Sequence, residues 1–153
     1  MFKILITYLP ITKQLNKLKN EIIEYDFKFD FLDLELEINK KKICSIIGEY
    51  DALVIGDNIN NIENVISQGS KKNLKTLIKI GADIKGVVCK ICNNYNILTT
   101  IIEDEIKTDN KIENLLKISE LILDKIDINI ETWGEIQQSV HFWEKYDNDI
   151  AYQ

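Results

Sequence analysis

Few side chains in this sequence are equipped for chemistry. His141 is the only histidine, so a general base of the imidazole kind would have to be that residue. It stands between Val140 and Phe142 in an apolar-periodic stretch and reads as a surface or packing residue. No Ser–His or His–carboxylate arrangement occurs in a recognisable context, so hydrolase chemistry has no support and no catalytic residue is assigned. Cys89-Lys90-Ile91-Cys92 places two thiols three apart on one side of a helix, the spacing of a redox pair or of half a zinc site. No second pair follows at zinc spacing, and Cys44 and His141 are distant single candidates. Free thiols and no metal centre are therefore expected, and three cysteines, an odd number, suit a reducing compartment. Asp30, Asp33, Glu35 and Glu37 alternate as the wet side of a strand, with a cation site as the alternative. Glu103-Asp104-Glu105 reads as a solvated turn.

Other classes are excluded by what the chain lacks. Neither G-x-G-x-x-G nor G-x-x-x-x-G-K-[ST] occurs, so no backbone cradle for a dinucleotide or triphosphate is expected. Net charge is −6 and all 19 basic residues are Lys, which argues against a nucleic-acid partner and removes the planar fork best suited to carboxylates and phosphates. No apolar run approaches the roughly 18–20 residues that cross a bilayer. The apolar run Ile4-Leu5-Ile6 is too short for a secretory signal, so a cytoplasmic location and no membrane partner are expected.

Positioning these residues falls to alternating short apolar runs and longer amphipathic ones, the pattern of βα units around a mainly parallel sheet. Lys3 to Thr7 reads as a buried strand, broken by Leu9-Pro10. Leu15, Leu18, Ile22 and Tyr25 then recur at helical spacing. Phe27 to Leu34 alternates as a strand open to water on one side, and Ile38 to Ile47 gives a helix. Asp51 to Gly56 reads as a central strand, Asn58 to Ser67 as a helix with Gly69 as its stop, and Leu74 to Ile80 as a strand ended by Gly81. Gly86 to Tyr95 is a short helix and Asn96 to Thr100 the last strand. From Lys111 two further helices are expected. Ile112 to Ile126 is apolar on more than half its circumference, and Trp133, Ile136, Val140 and Trp143 form an aromatic stripe. With 153 residues, 45% of them hydrophobic, one domain is expected, a βα sheet over 1–100 and a helical extension over 101–153.

The motifs Tyr50-Asp51-Ala52-Leu53-Val54-Ile55-Gly56-Asp57-Asn58, Ile62 to Ile66, and Leu74-Lys75-Thr76-Leu77-Ile78-Lys79-Ile80-Gly81-Ala82-Asp83-Ile84 come in a telling order. That order resembles the substrate domain of D-isomer-specific 2-hydroxyacid dehydrogenases, which shows a "yDaliv" strand, a polar turn, a helix and "Lk-vI-k-G-G-vDnID". Asn96-Ile97-Leu98-Thr99-Thr100 is similar to the family's next strand, while Ile112-Glu113 and Glu131-Thr132-Trp133-Gly134 resemble the helix and Trp before its cofactor domain. The likeness covers roughly residues 1–134 and implies a flavodoxin-like three-layer α/β domain with a mainly parallel sheet and two extra C-terminal helices.

In the family a Rossmann half follows, carrying the Gly fingerprint and the catalytic Arg, Glu and His. Here an aromatic helix stands instead, and where the family has its second Gly, Asp and Asn this chain has Asp83, Lys85 and Gly86. An Asp at 83 is expected to repel an anion, offset in part by Lys79 and Lys85. The leading expectation is a truncated, non-catalytic relative without a cofactor, a ligand-binding or protein-interaction module. The alternative is the substrate half of an NAD-dependent 2-hydroxyacid dehydrogenase whose cofactor domain is separately encoded or missing. A phosphoacceptor domain, with Asp57 at a strand end, lacks the full set of acidic and Lys partners. A small 2-hydroxy or 2-oxo acid is expected at the carboxyl ends of the strands, around Gly56, Asp57, Asn58, Lys79, Ile80, Gly81, Ala82 and Asp83. A homodimer or a protein partner is expected on Trp133, Ile136, Val140 and Trp143.

Overall fold

The computed structural model describes residues 2–21, 27–103 and 111–151, with side chains through Leu18 in the first stretch and from Leu115 to Glu135 in the last. Strands β1 (Phe2–Ile6), β2 (Phe27–Phe31), β3 (Ala52–Ile55), β4 (Thr76–Ile80) and β5 (Leu98–Ile102) form one sheet in the order β2-β1-β3-β4-β5. Every pairing is parallel, with Ile4 beside Ala52, Ala52 beside Thr76 and Thr76 beside Leu98. The helices are α1 (Thr12–Glu21), α2 (Glu37–Ile46), α3 (Ile62–Ser70), α4 (Val87–Asn94) and α5 (Lys111–Ala151).

Strands covered on both faces must be apolar at every position, and the run Ala52-Leu53-Val54-Ile55 is fully buried. Alternation then sorts the side chains. Ile4, Ile6, Val54, Ile78 and Ile80 pack with Ile11, Leu15 and Leu18 of the α1 region and with Ile118, Ile122 and Ile126 of α5. Leu5, Leu53, Ile55 and Leu77 pack with Ile43 of α2, Val65 and Ile66 of α3, and Val88 and Cys92 of α4. The result is a flavodoxin-like three-layer α/β fold, whose ligand crevice in general lies at the carboxyl ends of the strands.

Several boundaries move. In place of two C-terminal helices there is one, α5, of 41 residues. Gly134 lies inside it without a positive φ, and a helical Gly weakens a helix by about 1 kcal/mol without ending it. Helix α3 begins at Ile62 rather than Asn58, because Asn61 adopts a left-handed conformation, φ 60°, which Asn tolerates better than most residues. Gly69 is not a stop: it sits inside α3, where a Cβ would meet Leu74 Cδ2 at 2.6 Å, so its role is close packing. Strand β2 ends at Phe31, so Asp33, Glu35 and Glu37 do not continue a strand face: they fall in a turn and at the start of α2. Among the described residues no cluster able to hold a metal ion occurs, and no helix is long and apolar enough to cross a membrane.

Candidate functional site at the carboxyl ends of the strands

Lys79 is the one charged residue in the buried run of β4. Alternation turns it toward the α3–α4 face at the end of its strand. Its side chain is only 8% exposed, and its Nζ donates to Asp57 Oδ1 at 2.7 Å, whereas the Asp57 side chain is 85% exposed. An ammonium has three hydrogens to donate, and among the described residues no second acceptor is within hydrogen-bonding reach of it. A buried charge with one exposed partner is costly unless further acceptors arrive. Gly81, at φ 103°, closes the turn beside this pair: a Cβ there would lie 3.5 Å from Asp57 Oδ2 and 3.7 Å from Lys79 Nζ. The turn thus presents backbone to the ion pair and no side chain.

The other predicted residues are placed differently. Gly56 is buried beneath the Tyr8 ring, whose Cδ2 is 2.8 Å from where a Cβ would stand. Asn58 bridges the switch between β1 and β3, its Nδ2 donating to the Thr7 carbonyl at 3.3 Å, while Thr7 Oγ1 donates to the Val54 carbonyl at 3.0 Å. The side chain of Ile80 belongs to the core against α1 and α5, so only its backbone reaches the rim. Ala82 is exposed.

The Asp83 carboxylate is engaged by the backbone of α4. Its Oδ1 accepts from the Val88 N–H and its Oδ2 from the Cys89 N–H, both at 3.0 Å, so the carboxylate caps α4 where the helix dipole favours negative charge. Burial raises its pKa, but the two backbone hydrogen bonds and the nearby Lys79 outweigh that and hold it below the ordinary value of 3.8.

The surroundings of Cys89 and Cys92 work against an activated thiol. Burial pushes the Cys92 pKa up to about 11. Burial, then the hydrogen bond and charge of Asp83, raise that of Cys89. All three cysteines are free. Nucleophilic or metal-binding thiols need the opposite shift.

Sequence reasoning missed two features. Tyr8 covers Gly56, which nothing in a strand-then-break pattern announces. A cavity of about 130 Å³ opens beside the rim, lined by Leu34, Lys40, Ile43 and the loop Asn58 to Asn61. Asn58, one of its lining residues, keeps its Oδ1 buried without a hydrogen-bond partner among the described residues. The Asn-rich run between a strand and a helix was its only sequence signal. Of the stripe assigned to an interface, Trp133 is half-buried, and the side chains of Ile136, Val140 and Trp143 lie outside the described residues, as does that of His141.

No protein-family model matches the chain, and no curated protein matches it. Among solved structures, the apo-structure of D-lactate dehydrogenase from Escherichia coli is similar, with a TM-score of 0.48 and 19% identity over 67% of this chain and 31% of that one. The chain therefore spans about a third of that enzyme's length. A likeness at this level carries nothing over about substrate or cofactor.

Proposed function

We propose that this chain is a small-ligand-binding module related to the substrate domain of 2-hydroxyacid dehydrogenases. It takes a small 2-hydroxy or 2-oxo acid at the strand ends and performs no hydride transfer alone. The observation that supports this reading is the Lys79 ammonium, buried with unused donors and held by a carboxylate that is almost wholly in water. A ligand carboxylate can take the place of Asp57 or add to it, and hydrogen bonds to a charged group contribute about 1.5–3 kcal/mol each. The order of strand, turn and helix motifs favours an organic acid over an inorganic anion. With no Gly-rich turn to hold a pyrophosphate, NAD and NADP should not bind.

The test is a titration of the isotope-labelled chain with pyruvate and with D-lactate. Amide shifts of Asp57 and Lys79 to Asp83 should move first, Lys79→Met should abolish the response, and Asp57→Asn should tighten binding severalfold by removing the competing anion. Shifts confined to the opposite edge of the sheet, or no shift at tens of millimolar, would refute the reading. A second reading has one observation in its favour: Ile84, 76% exposed, and Val87, 49% exposed, stand directly after the rim. If a separately encoded cofactor domain covers them, dinucleotide binding and oxidation of a 2-hydroxy acid appear only on mixing the two proteins.

A further inference from the structure

Strand β2 stands at one side of the sheet, with β1 next to it and no further strand beyond among the described residues. In a parallel ladder, alternate residues bond the same neighbour. The Leu32 N–H donates to the Ile6 carbonyl at 2.9 Å, so Lys28 and Asp30 turn their backbone groups to β1, and those of Phe29 and Phe31 point away from the sheet. Among the described residues nothing bonds to the outward groups of Phe29 and Phe31. Such an edge is a template for another strand unless its side chains forbid the pairing.

The side chains select one partner. Phe27, Phe29 and Phe31 share the face packed by α1 and α5. Lys28 and Asp30 share the other face and reach water, their side chains 51% and 38% exposed. Within one copy Lys28 Nζ is 4.0 Å from Asp30 Oδ2, the limit of an ion pair, and that oxygen already accepts the Tyr50 hydroxyl proton at 2.7 Å. Laid antiparallel on a second β2 about a two-fold axis at Phe29, Lys28 of each copy stands opposite Asp30 of the other, in the close, non-hydrogen-bonded kind of pair. Phe29 then stands opposite Phe29, where the two backbones exchange N–H···O bonds, and Phe31 stands opposite Phe27. A slip of two residues sets Lys28 against Lys28 or Asp30 against Asp30, and a slip of one sets the phenylalanine face against the charged one. The run Phe-Lys-Phe-Asp-Phe therefore complements itself in this antiparallel register and not in those beside it. The other edge, Leu98-Thr99-Thr100-Ile101-Ile102 of β5, holds no charge that could fix a register.

We propose that two copies of this chain pair edge to edge and antiparallel through β2, joining two five-stranded sheets into one across a two-fold axis. The same strand serves both sides of the contact, which is the condition for a closed, self-complementary dimer. Lys28 on the edge, which would keep a strand of one charge sign apart, here fixes the register because Asp30 stands two residues on.

Sedimentation equilibrium of the full chain, together with amide hydrogen exchange, tests this. A dimer is expected at high micromolar concentration, with exchange at the Phe29 and Phe31 amides slowing as concentration rises. Lys28→Asp, at an exposed position where folding is not at stake, and Asp30→Lys should each raise the dissociation constant by about tenfold or more, because like charges then face each other. An equimolar mixture of the two variants should return it close to the wild-type value, since two Asp then face two Lys. Asp30→Lys also removes the Tyr50 hydrogen bond, so the wild-type exchange and Lys28→Asp stand as tests without it. A wild-type monomer at high micromolar concentration overturns the proposal, as do Phe29 and Phe31 amides that exchange equally fast in monomer and dimer. So does a Lys28→Asp chain that dimerises as tightly as the wild type, a mixture of folded variants no tighter than either alone, or growth beyond the dimer, the mark of β2 adding to β5 in an open chain.

Discussion

Replacing Asn129 with Ala removes the only polar clasp between α5 and the sheet among the described residues. The Asn129 amide gives one proton to Thr76 Oγ1 at 2.9 Å and one to Thr100 Oγ1 at 2.8 Å. Thr76 is fully buried and its own hydroxyl proton is committed to the Leu98 carbonyl at 2.9 Å, so Asn129 serves one of the lone pairs on its oxygen. Two neutral hydrogen bonds are worth about 0.5–1.5 kcal/mol each in net stability. Ala returns up to about 0.7 kcal/mol through its better helix propensity. The expected loss is then about 1.5 kcal/mol, equivalent to a fall in Tm of about 3–6 °C for a chain of this size. Urea denaturation followed by circular dichroism, with and without Thr100→Val, measures both the loss and the coupling. The two single changes should fall short of additivity by about 1 kcal/mol, because they remove the same bond. A loss under about 0.5 kcal/mol, or strict additivity, would show that the clasp contributes nothing and that α5 is held by its apolar face alone.

Two further predictions concern the glycines within helices and the cap of α4. Gly69→Ala should destabilise by about 1 kcal/mol, since overpacking against Leu74 and Ile47 outweighs the propensity gain. Gly134→Ala, with nothing within 4 Å of the new Cβ, should stabilise by up to about 1 kcal/mol; urea midpoints that move the same way in both would refute the packing argument. Asp83→Ala should cost about 1 kcal/mol as a lost cap. The folded pKa of Asp83 is depressed below 3.8, so its contribution is complete above that value and disappears as pH falls through the lower, folded pKa. A wild-type stability that falls no faster below pH 4 than that of Asp83→Asn would contradict this.

The sequence by itself determined the α/β layering and its order along the chain. Runs such as Ala52-Leu53-Val54-Ile55 can be satisfied only by cover on both faces, and three- and four-residue periodicity can bury a helix on one side only. The end of β4 at Gly81, where φ is positive, was legible for the same reason, because this is a constraint of a residue on itself and its near neighbours. Tertiary structure decided the rest. Whether residues 111–151 make one helix or two was not legible, since a Gly such as Gly134 weakens a helix by about 1 kcal/mol without ending it. Lys79 and Asp57, 22 residues apart, were both assigned to the rim from sequence, but that one is buried and the other in water follows from strand packing. That two N–H groups of α4 donate to the Asp83 carboxylate likewise depends on where that helix begins. Asn129 offered no sequence signal, since its partner Thr76 lies 53 positions away. Local pattern fixes which face a side chain takes, whereas the partner it meets there depends on how separate elements are stacked, and it is the partner that sets charge, hydrogen bonding and chemistry.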